Sequence, residues 1–121
     1  FLEKRRGIHE EYRRRLSGVP GLSLLENPDS RYHSNHWLTC VQVNPEEARF
    51  DRETLRLALQ KAGVESRPLW KPMHLQPVFR SCPFYGSGVS DRLFEEGLCL
   101  PSGASLAGED MDRIIDVLLN L

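Results

Sequence analysis

The sequence has 121 residues, of which 40% are hydrophobic and 27% are charged, and its formal net charge is -1 at pH 7. This length and composition are typical of one soluble domain with a core of its own. The nearly neutral charge gives no electrostatic reason to expect a nucleic acid or an anionic membrane as partner. No apolar run approaches the roughly 20 residues that a membrane-spanning helix needs.

The start of the chain predicts a piece of a longer protein. The first residue is Phe1 and not methionine, and the charges that follow it do not precede the apolar stretch of a signal peptide. We therefore expect a cytoplasmic location. The three cysteines, Cys40, Cys82 and Cys99, form no CxxC pair, and we expect them to be reduced thiols that behave as small buried apolar residues.

The first half of the chain predicts a helix, a strand and a second helix. Apolar residues recur at three- and four-residue steps over residues 2–17. Residues 36–43 are rich in aromatic and β-branched side chains, which favours a strand. Asp51 is a typical N-cap for the next helix, whose apolar residues follow at helical spacing and which Gly63 ends.

The second half predicts a long loop among shorter elements. Residues 64–69 predict a strand, and residues 70–88 contain three prolines that leave room for only a turn or two of helix. An irregular loop of this length inside a compact domain usually carries function. A third helix is predicted over 90–96, a short buried strand over 98–100, and a last helix over about 109–119.

This order of elements predicts an α+β fold. Helices alternate with short strands, which favours a small, largely antiparallel sheet with helices packed on one face. We expect one domain over residues 1–121.

Two histidines and a cysteine could be taken for metal ligands. His33 and His36 have Cys40 beyond them, but His-x-x-His at the end of a strand places the two rings on opposite faces. No second pair of ligands follows at a suitable spacing. We therefore predict no metal site.

Several segments carry a resemblance to a known family. Residues 67–79, Arg-Pro-Leu-Trp-Lys-Pro-Met-His-Leu-Gln-Pro-Val-Phe, resemble the RPxWKPxHxQPxF segment of DegT-type sugar aminotransferases, and in particular the branch that acts on UDP-linked 4-keto sugars. Residues 98–103, Leu-Cys-Leu-Pro-Ser-Gly, resemble the GLCLPSG segment of that branch. Residues 35–38 resemble its NxWL strand, and the first helix resembles the one that leads from its large domain into the small one.

The resemblance implies the C-terminal small domain of a fold type I, pyridoxal-phosphate-dependent transferase. The intact enzyme would be a homodimer that transfers an amino group from glutamate to a nucleotide-linked keto sugar. The family's cofactor lysine lies in the large domain, which is missing here, and only Lys4, Lys61 and Lys71 are present. Since Lys71 matches a small-domain position, we expect the chain by itself to hold no catalytic or cofactor-binding residue and to be inactive.

The candidate substrate-binding residues are Lys71, His74, Trp70 and Arg67. A nucleotide sugar carries a pyrophosphate, hydroxyl groups and a planar base, so its pocket needs cations, hydrogen-bonding groups and an aromatic wall. Each residue also has a structural interpretation: Arg67 in solvent, Trp70 covering the core, His74 bonded to the backbone of its own loop. Both interpretations stay open for Lys71 and His74, whereas we favour the structural one for Arg67 and Trp70.

A standalone binding or interaction module without catalysis is the alternative function. The length of the natural reading frame separates the two hypotheses, because an upstream large domain favours the enzyme.

Overall fold

The computed structural model describes all residues from 1 to 121 and contains a four-stranded sheet with five helices. The helices are α1 (Leu2–Leu16), α2 (Pro45–Ala48), α3 (Arg52–Lys61), α4 (Val89–Glu96) and α5 (Gly108–Leu119). The strands are β1 (Leu22–Leu24), β2 (Thr39–Val43), β3 (Arg67–Pro68) and β4 (Gly97–Leu100). They lie in the order β1-β2-β4-β3, and each neighbouring pair is antiparallel. The predicted α+β fold is confirmed.

One face of the sheet carries the core. Side chains alternate along a strand, so Thr39, Val41 and Val43 of β2 all point to this face and are fully buried. The helices α1, α3 and α5 cover it with the apolar stripes that their sequences predict. Helix α5 contributes the largest set, which is Met111, Ile114, Ile115 and Leu118. None of the helices is both long enough and apolar enough to span a bilayer.

Helix α3 begins as its sequence predicts. The Asp51 carboxylate accepts a hydrogen bond from the Thr54 backbone N–H at 2.7 Å, which satisfies one of the free donors at the helix start. This bond holds the pKa of Asp51 below its usual value, because it favours the charged carboxylate. After the helix, Gly63 adopts a left-handed conformation with φ 74° and turns the chain towards β3.

Side chains of helix α1 bond to residues in the last quarter of the chain. The buried Tyr12 hydroxyl donates a hydrogen bond of 2.9 Å to the carbonyl oxygen of Pro101, directly after β4. Burial raises the pKa of Tyr12, so the phenol stays protonated and remains a donor. At the edge of the same interface, Arg15 forms an ion pair of 2.6 Å with Asp112 of α5.

Two predicted strands are shorter than expected. Strand β2 begins at Thr39 and not at His36, because His36 has a positive φ of 44° that is incompatible with an extended strand. Strand β3 covers only Arg67–Pro68 of the predicted 64–69, since Val64 turns into the core and Pro68 has no N–H to donate to a neighbouring strand. The short elements β1 and α2 were not predicted at all.

The cysteines differ in their surroundings. Cys99 is buried on β4 and Cys40 is half-buried on β2, but Cys82 is exposed in the loop. The prediction of a buried apolar role is therefore wrong for Cys82, because the proline-rich segment around it lies on the surface and not under a helix.

Candidate functional site

The loop between β3 and α4 carries the candidate site. It contains two short 3-10 turns, Met73–Leu75 and Pro77–Phe79, in agreement with the predicted turn or two of helix. Pro72 is buried and anchors the first part of the loop, whereas most of the segment from Arg80 to Ser87 is exposed. The first half of the loop, which contains Trp70, Lys71 and His74, is thus anchored to the domain by Pro72. The second half, residues 80–87, lies at the surface.

His74 joins the two halves of this loop to α4. Its Nε2 lies 2.6 Å from an Asp91 carboxylate oxygen, and the Phe84 ring stacks on its imidazole with 3.6 Å between centroids. Asp91 lies in the first turn of α4, where the helix dipole favours a negative charge. His74 is therefore bound by an α4 side chain, and not by the backbone of its own loop as its structural interpretation required.

Replacing Asp91 with alanine is expected to loosen this loop without unfolding the domain. The change removes the hydrogen-bond acceptor of a mostly buried histidine, which should cost about 1–3 kcal/mol locally. We expect faster amide exchange at Met73–Gln76 and around Phe84, measured by hydrogen-exchange mass spectrometry, with unchanged exchange in β2 and β4.

Asp116→Ala is the matched control for this measurement. Asp116 is an exposed aspartate on α5 whose carboxylate makes no hydrogen bond or ion pair. Loop exchange that is equal in the Asp91 and Asp116 variants would contradict the anchoring role of Asp91.

Trp70 lies beside a second tryptophan that sequence reasoning did not place at the site. The rings of Trp37 and Trp70 lie 6.2 Å apart between centroids and are tilted by 39°. Both side chains are unusually open to solvent for tryptophan, with 57% and 67% of their surface exposed. Trp70 therefore does not cover the core, contrary to its structural interpretation, and the pair of tryptophans presents an aromatic surface to solvent.

The two cationic candidates are both on the surface. Arg67 donates two hydrogen bonds to one Glu65 carboxylate oxygen, the shorter of them 2.6 Å, and both side chains are largely exposed. An exposed ion pair of this kind stabilises the fold by only ~0–1 kcal/mol, so another anion can replace the carboxylate at little cost. Lys71 is exposed and its ammonium group makes no ion pair. The structural interpretation of Arg67 as a solvent-facing residue thus fits the unbound chain.

A cleft of about 550 Å³ opens at the β3 edge of the sheet. Its floor is apolar and is formed by residues of the core and of the segment after β4, among them Val64, Leu100 and Ile114. Arg67 and Trp70 line this cleft, together with Arg113 of α5, whereas Lys71 and His74 do not. The structure thus brings two of the four predicted residues to one concave surface. Its apolar walls carry Arg67 and Arg113 together with Glu65 and Asp110, the two carboxylates with which these arginines pair. An anionic ligand with a ring fits this surface when its charge replaces one of the carboxylates.

Three residues near the site were missed by sequence reasoning. Trp37 was assigned to a strand, and Asp91 and Phe84 were given no role. Two sequence features could have indicated Phe84 and Asp91. One is the cluster of aromatic residues within the proline-rich loop, and the other is the aspartate in the first turn of the helix that follows. Sequence spacing could not predict the contact between Asp91 and His74, because the two residues are 17 positions apart.

The two histidines considered as metal ligands are separated in the structure. His33 is exposed, and the His36 ring stacks on that of His9 with 3.7 Å between centroids. Desolvation, together with the charge of nearby His9, holds the pKa of His36 below its usual value. The expected strand geometry for His33 and His36 is wrong, since neither residue lies in a strand.

The comparison with known proteins decides the family. A family model described as the DegT/DnrJ/EryC1/StrS aminotransferase family matches residues 1–119 of the chain. The chain belongs to this family. The resemblance that the motifs of residues 67–79 and 98–103 indicate is confirmed.

Individual aminotransferases and sugar enzymes show a likeness to this chain as well. EpsN of Bacillus subtilis (strain 168), named as a pyridoxal phosphate-dependent aminotransferase, is 35% identical over 99% of this chain and 31% of its own. GDP-perosamine synthase of Vibrio cholerae is 27% identical over 99% of this chain and 32% of its own. The crystal structure of DesI in the presence of its TDP-sugar product superposes with a TM-score of 0.85 at 26% identity, over 98% of this chain and 30% of DesI. The chain therefore spans about a third of the length of its relatives.

The residues of this chain do not form a pyridoxal phosphate site by themselves. Such a site needs a lysine for the cofactor aldehyde, a carboxylate for the pyridinium nitrogen and donors for the phosphate. All three lysines are exposed, and none of them pairs with a carboxylate. No reaction step through the cofactor is therefore assigned to this chain.

Proposed function

We propose that residues 1–121 form the C-terminal small domain of a pyridoxal-phosphate-dependent aminotransferase that transfers an amino group to a nucleotide-linked keto sugar. The observation that carries the proposal is the family match over residues 1–119, together with relatives whose names include GDP-perosamine synthase and a TDP-sugar enzyme. The large domain of this enzyme supplies the cofactor and its lysine. We further propose glutamate as the amino donor and a homodimeric assembly, as the resemblance implies, and a cytoplasmic location, as expected from the sequence.

In this enzyme the small domain contributes part of the substrate pocket. Arg67 exchanges its exposed partner Glu65 for the pyrophosphate of the substrate, and Lys71 adds a second positive charge. The indole of Trp70, extended by Trp37, offers a flat surface to the base or the sugar ring.

His74 acts through the nitrogen that Asp91 leaves free. Asp91 occupies the Nε2 atom of His74, and the Nδ1 atom has no hydrogen-bond partner inside the domain. The Phe84 ring that stacks on the imidazole restricts its rotation. His74 can therefore form a hydrogen bond with a sugar hydroxyl in a fixed orientation.

Alanine substitution of Lys71 and His74 in the full-length enzyme tests this pocket. A charge-assisted hydrogen bond is worth ~1.5–3 kcal/mol, so each change is expected to lower kcat/KM for the nucleotide sugar roughly tenfold or more. The absorbance of the bound cofactor should stay unchanged, because these side chains contact substrate and not cofactor. Steady-state kinetics with spectroscopic titration of the cofactor measures both effects.

Lys61→Ala is the control for a lost surface charge. Lys61 is an exposed lysine in the last turn of α3, away from the loop. Kinetics of the Lys71 and His74 variants that match those of the Lys61 variant would reject the pocket. A natural protein that ends at these residues and has no transaminase activity would instead support the standalone binding module.

A further inference from the structure

Two of the three cysteines face each other across the middle of the sheet. Cys40 of β2 and Cys99 of β4 are directly opposed in the antiparallel register, and their sulfur atoms lie 3.8 Å apart. Both side chains lie on the face of the sheet that α1, α3 and α5 do not cover, because their neighbours Val41 and Leu98 point into the core. Cys99 also lines the cleft at the β3 edge, but the proposed function assigns no substrate contact to either thiol.

The hydrogen bonds of the sheet define the type of this cross-strand pair. The Cys40 carbonyl oxygen accepts from Leu25 N–H on the β1 side, and Leu69 N–H donates to the Gly97 carbonyl oxygen on the β3 side. Because the bonding direction alternates along a strand, the backbone groups of Cys99 also point towards β3. Cys40 and Cys99 therefore form a non-hydrogen-bonded pair, the type in which opposed side chains approach most closely.

This geometry suits a covalent bond between the two sulfur atoms. Non-hydrogen-bonded pairs have Cα atoms about 4.5 Å apart, which lies within the range of about 4.4–6.8 Å found for disulfides. The remaining approach of the sulfur atoms can come from side-chain rotation, with the strand register unchanged.

The chemical surroundings favour one thiol as the nucleophile. Cys99 accepts a hydrogen bond from Cys40 when it loses its proton, and this bond lowers the pKa of Cys99. The same bond and burial raise the pKa of Cys40, which remains a thiol. Cys99 is only 7% exposed, so a small reagent reaches it more readily than a bulky one.

We propose that Cys40 and Cys99 form an oxidation site that closes to an intramolecular disulfide in the presence of a peroxide. The Cys99 thiolate attacks one oxygen of hydrogen peroxide, which yields a sulfenic acid and hydroxide, and the hydroxide takes up the proton that Cys99 released. The Cys40 sulfur then attacks the Cys99 sulfur, and the sulfenic oxygen leaves as water with the Cys40 proton. Two thiols are oxidised by two electrons, and one peroxide is reduced to two waters.

Closure would link the two central strands of the sheet. The bond joins residues that are 59 positions apart, and a crosslink over a long segment removes much of the conformational freedom of the unfolded chain. For a domain of this size we expect the oxidised form to melt roughly 10 °C above the reduced form.

Intact-mass spectrometry of the reduced chain after treatment with hydrogen peroxide tests the proposal. We expect the loss of two hydrogen masses, reversal by dithiothreitol, and a peptide pair that contains Cys40 and Cys99. Calorimetry of the same samples should show the higher melting temperature. A gain of oxygen without the loss of two hydrogens, or two thiols that stay free, would overturn the proposal.

Single substitutions separate this pair from the exposed third cysteine. Cys82→Ser should keep the mass loss, whereas Cys40→Ser and Cys99→Ser should each abolish it. Alanine variants replace the serine ones if circular dichroism shows that a buried hydroxyl unfolds the domain. A mass loss that persists without Cys40, or that disappears without Cys82, would assign the crosslink to another pair and reject the site.

Discussion

Replacing Gly21 with alanine is expected to lower the free energy of unfolding by about 3 kcal/mol or more. Gly21 has φ 72°, a conformation that costs an alanine ~1–2 kcal/mol. An added Cβ would also lie against the backbone nitrogen of Ala48 and only 2.7 Å from its Cα atom. These are backbone atoms of α2, so the clash can be relieved only by moving α2 away from the start of β1. Urea unfolding followed by circular dichroism measures the loss.

Gly63→Ala is the matched control. Gly63 has a nearly identical φ of 74°, but a Cβ at this position would meet no atom within 4 Å. We expect the free energy of unfolding of this variant to fall by only ~1–2 kcal/mol, which is the cost of a positive φ for alanine. Equal losses in the two variants would show that α2 does not press against Gly21.

Leu59→Ala is expected to lower the free energy of unfolding by about 2–5 kcal/mol, which is the second large effect. Leu59 is fully buried on α3, in the cluster that includes Ile114 and Leu118 of α5. Its truncation removes apolar contacts between α3 and α5 and leaves a cavity. The two helices cannot move together to fill this cavity, because both pack on the same sheet. The midpoint of urea unfolding should fall while the m-value stays unchanged.

Leu57→Ala makes the same chemical change on the same helix. Leu57 is 50% exposed, so its truncation should alter the free energy of unfolding by less than about 1 kcal/mol. A Leu57 variant as unstable as the Leu59 variant would mean that α3 packs by another face, contrary to the described core.

The sequence predicted those elements whose local signals agree with their tertiary contacts. Asp51 caps α3 as expected, and the apolar stripe of α5 faces the core, because capping and periodicity are local properties. Strand β1 was missed because its Leu-Ser-Leu segment is only three residues long and becomes a strand by pairing with β2. The start of β2 was placed too early because the stacking of His36 on His9 of α1 is invisible to strand propensity.

The candidate site was located by its loop but not by its contacts. Proline content and the family motif indicated residues 70–88, but only Trp70 of this range lines the cleft, which Arg67 borders from β3. The partner of His74 is a residue of α4, and the packing of α4 against the loop cannot be predicted from sequence spacing. The opposition of Cys40 and Cys99 likewise depends on the register of two strands that are distant in sequence.

The order of the strands has a consequence for how the chain acquires its structure during synthesis. The central partners β2 and β4 are distant in sequence, and Tyr12 bonds to a carbonyl 89 positions away. Proteins dominated by such non-local contacts fold slowly, because the connecting segment must be ordered before the contacts form. On the ribosome, Thr39–Val43 therefore remains without its β4 partner, with its apolar side chains uncovered, until almost the whole domain has emerged.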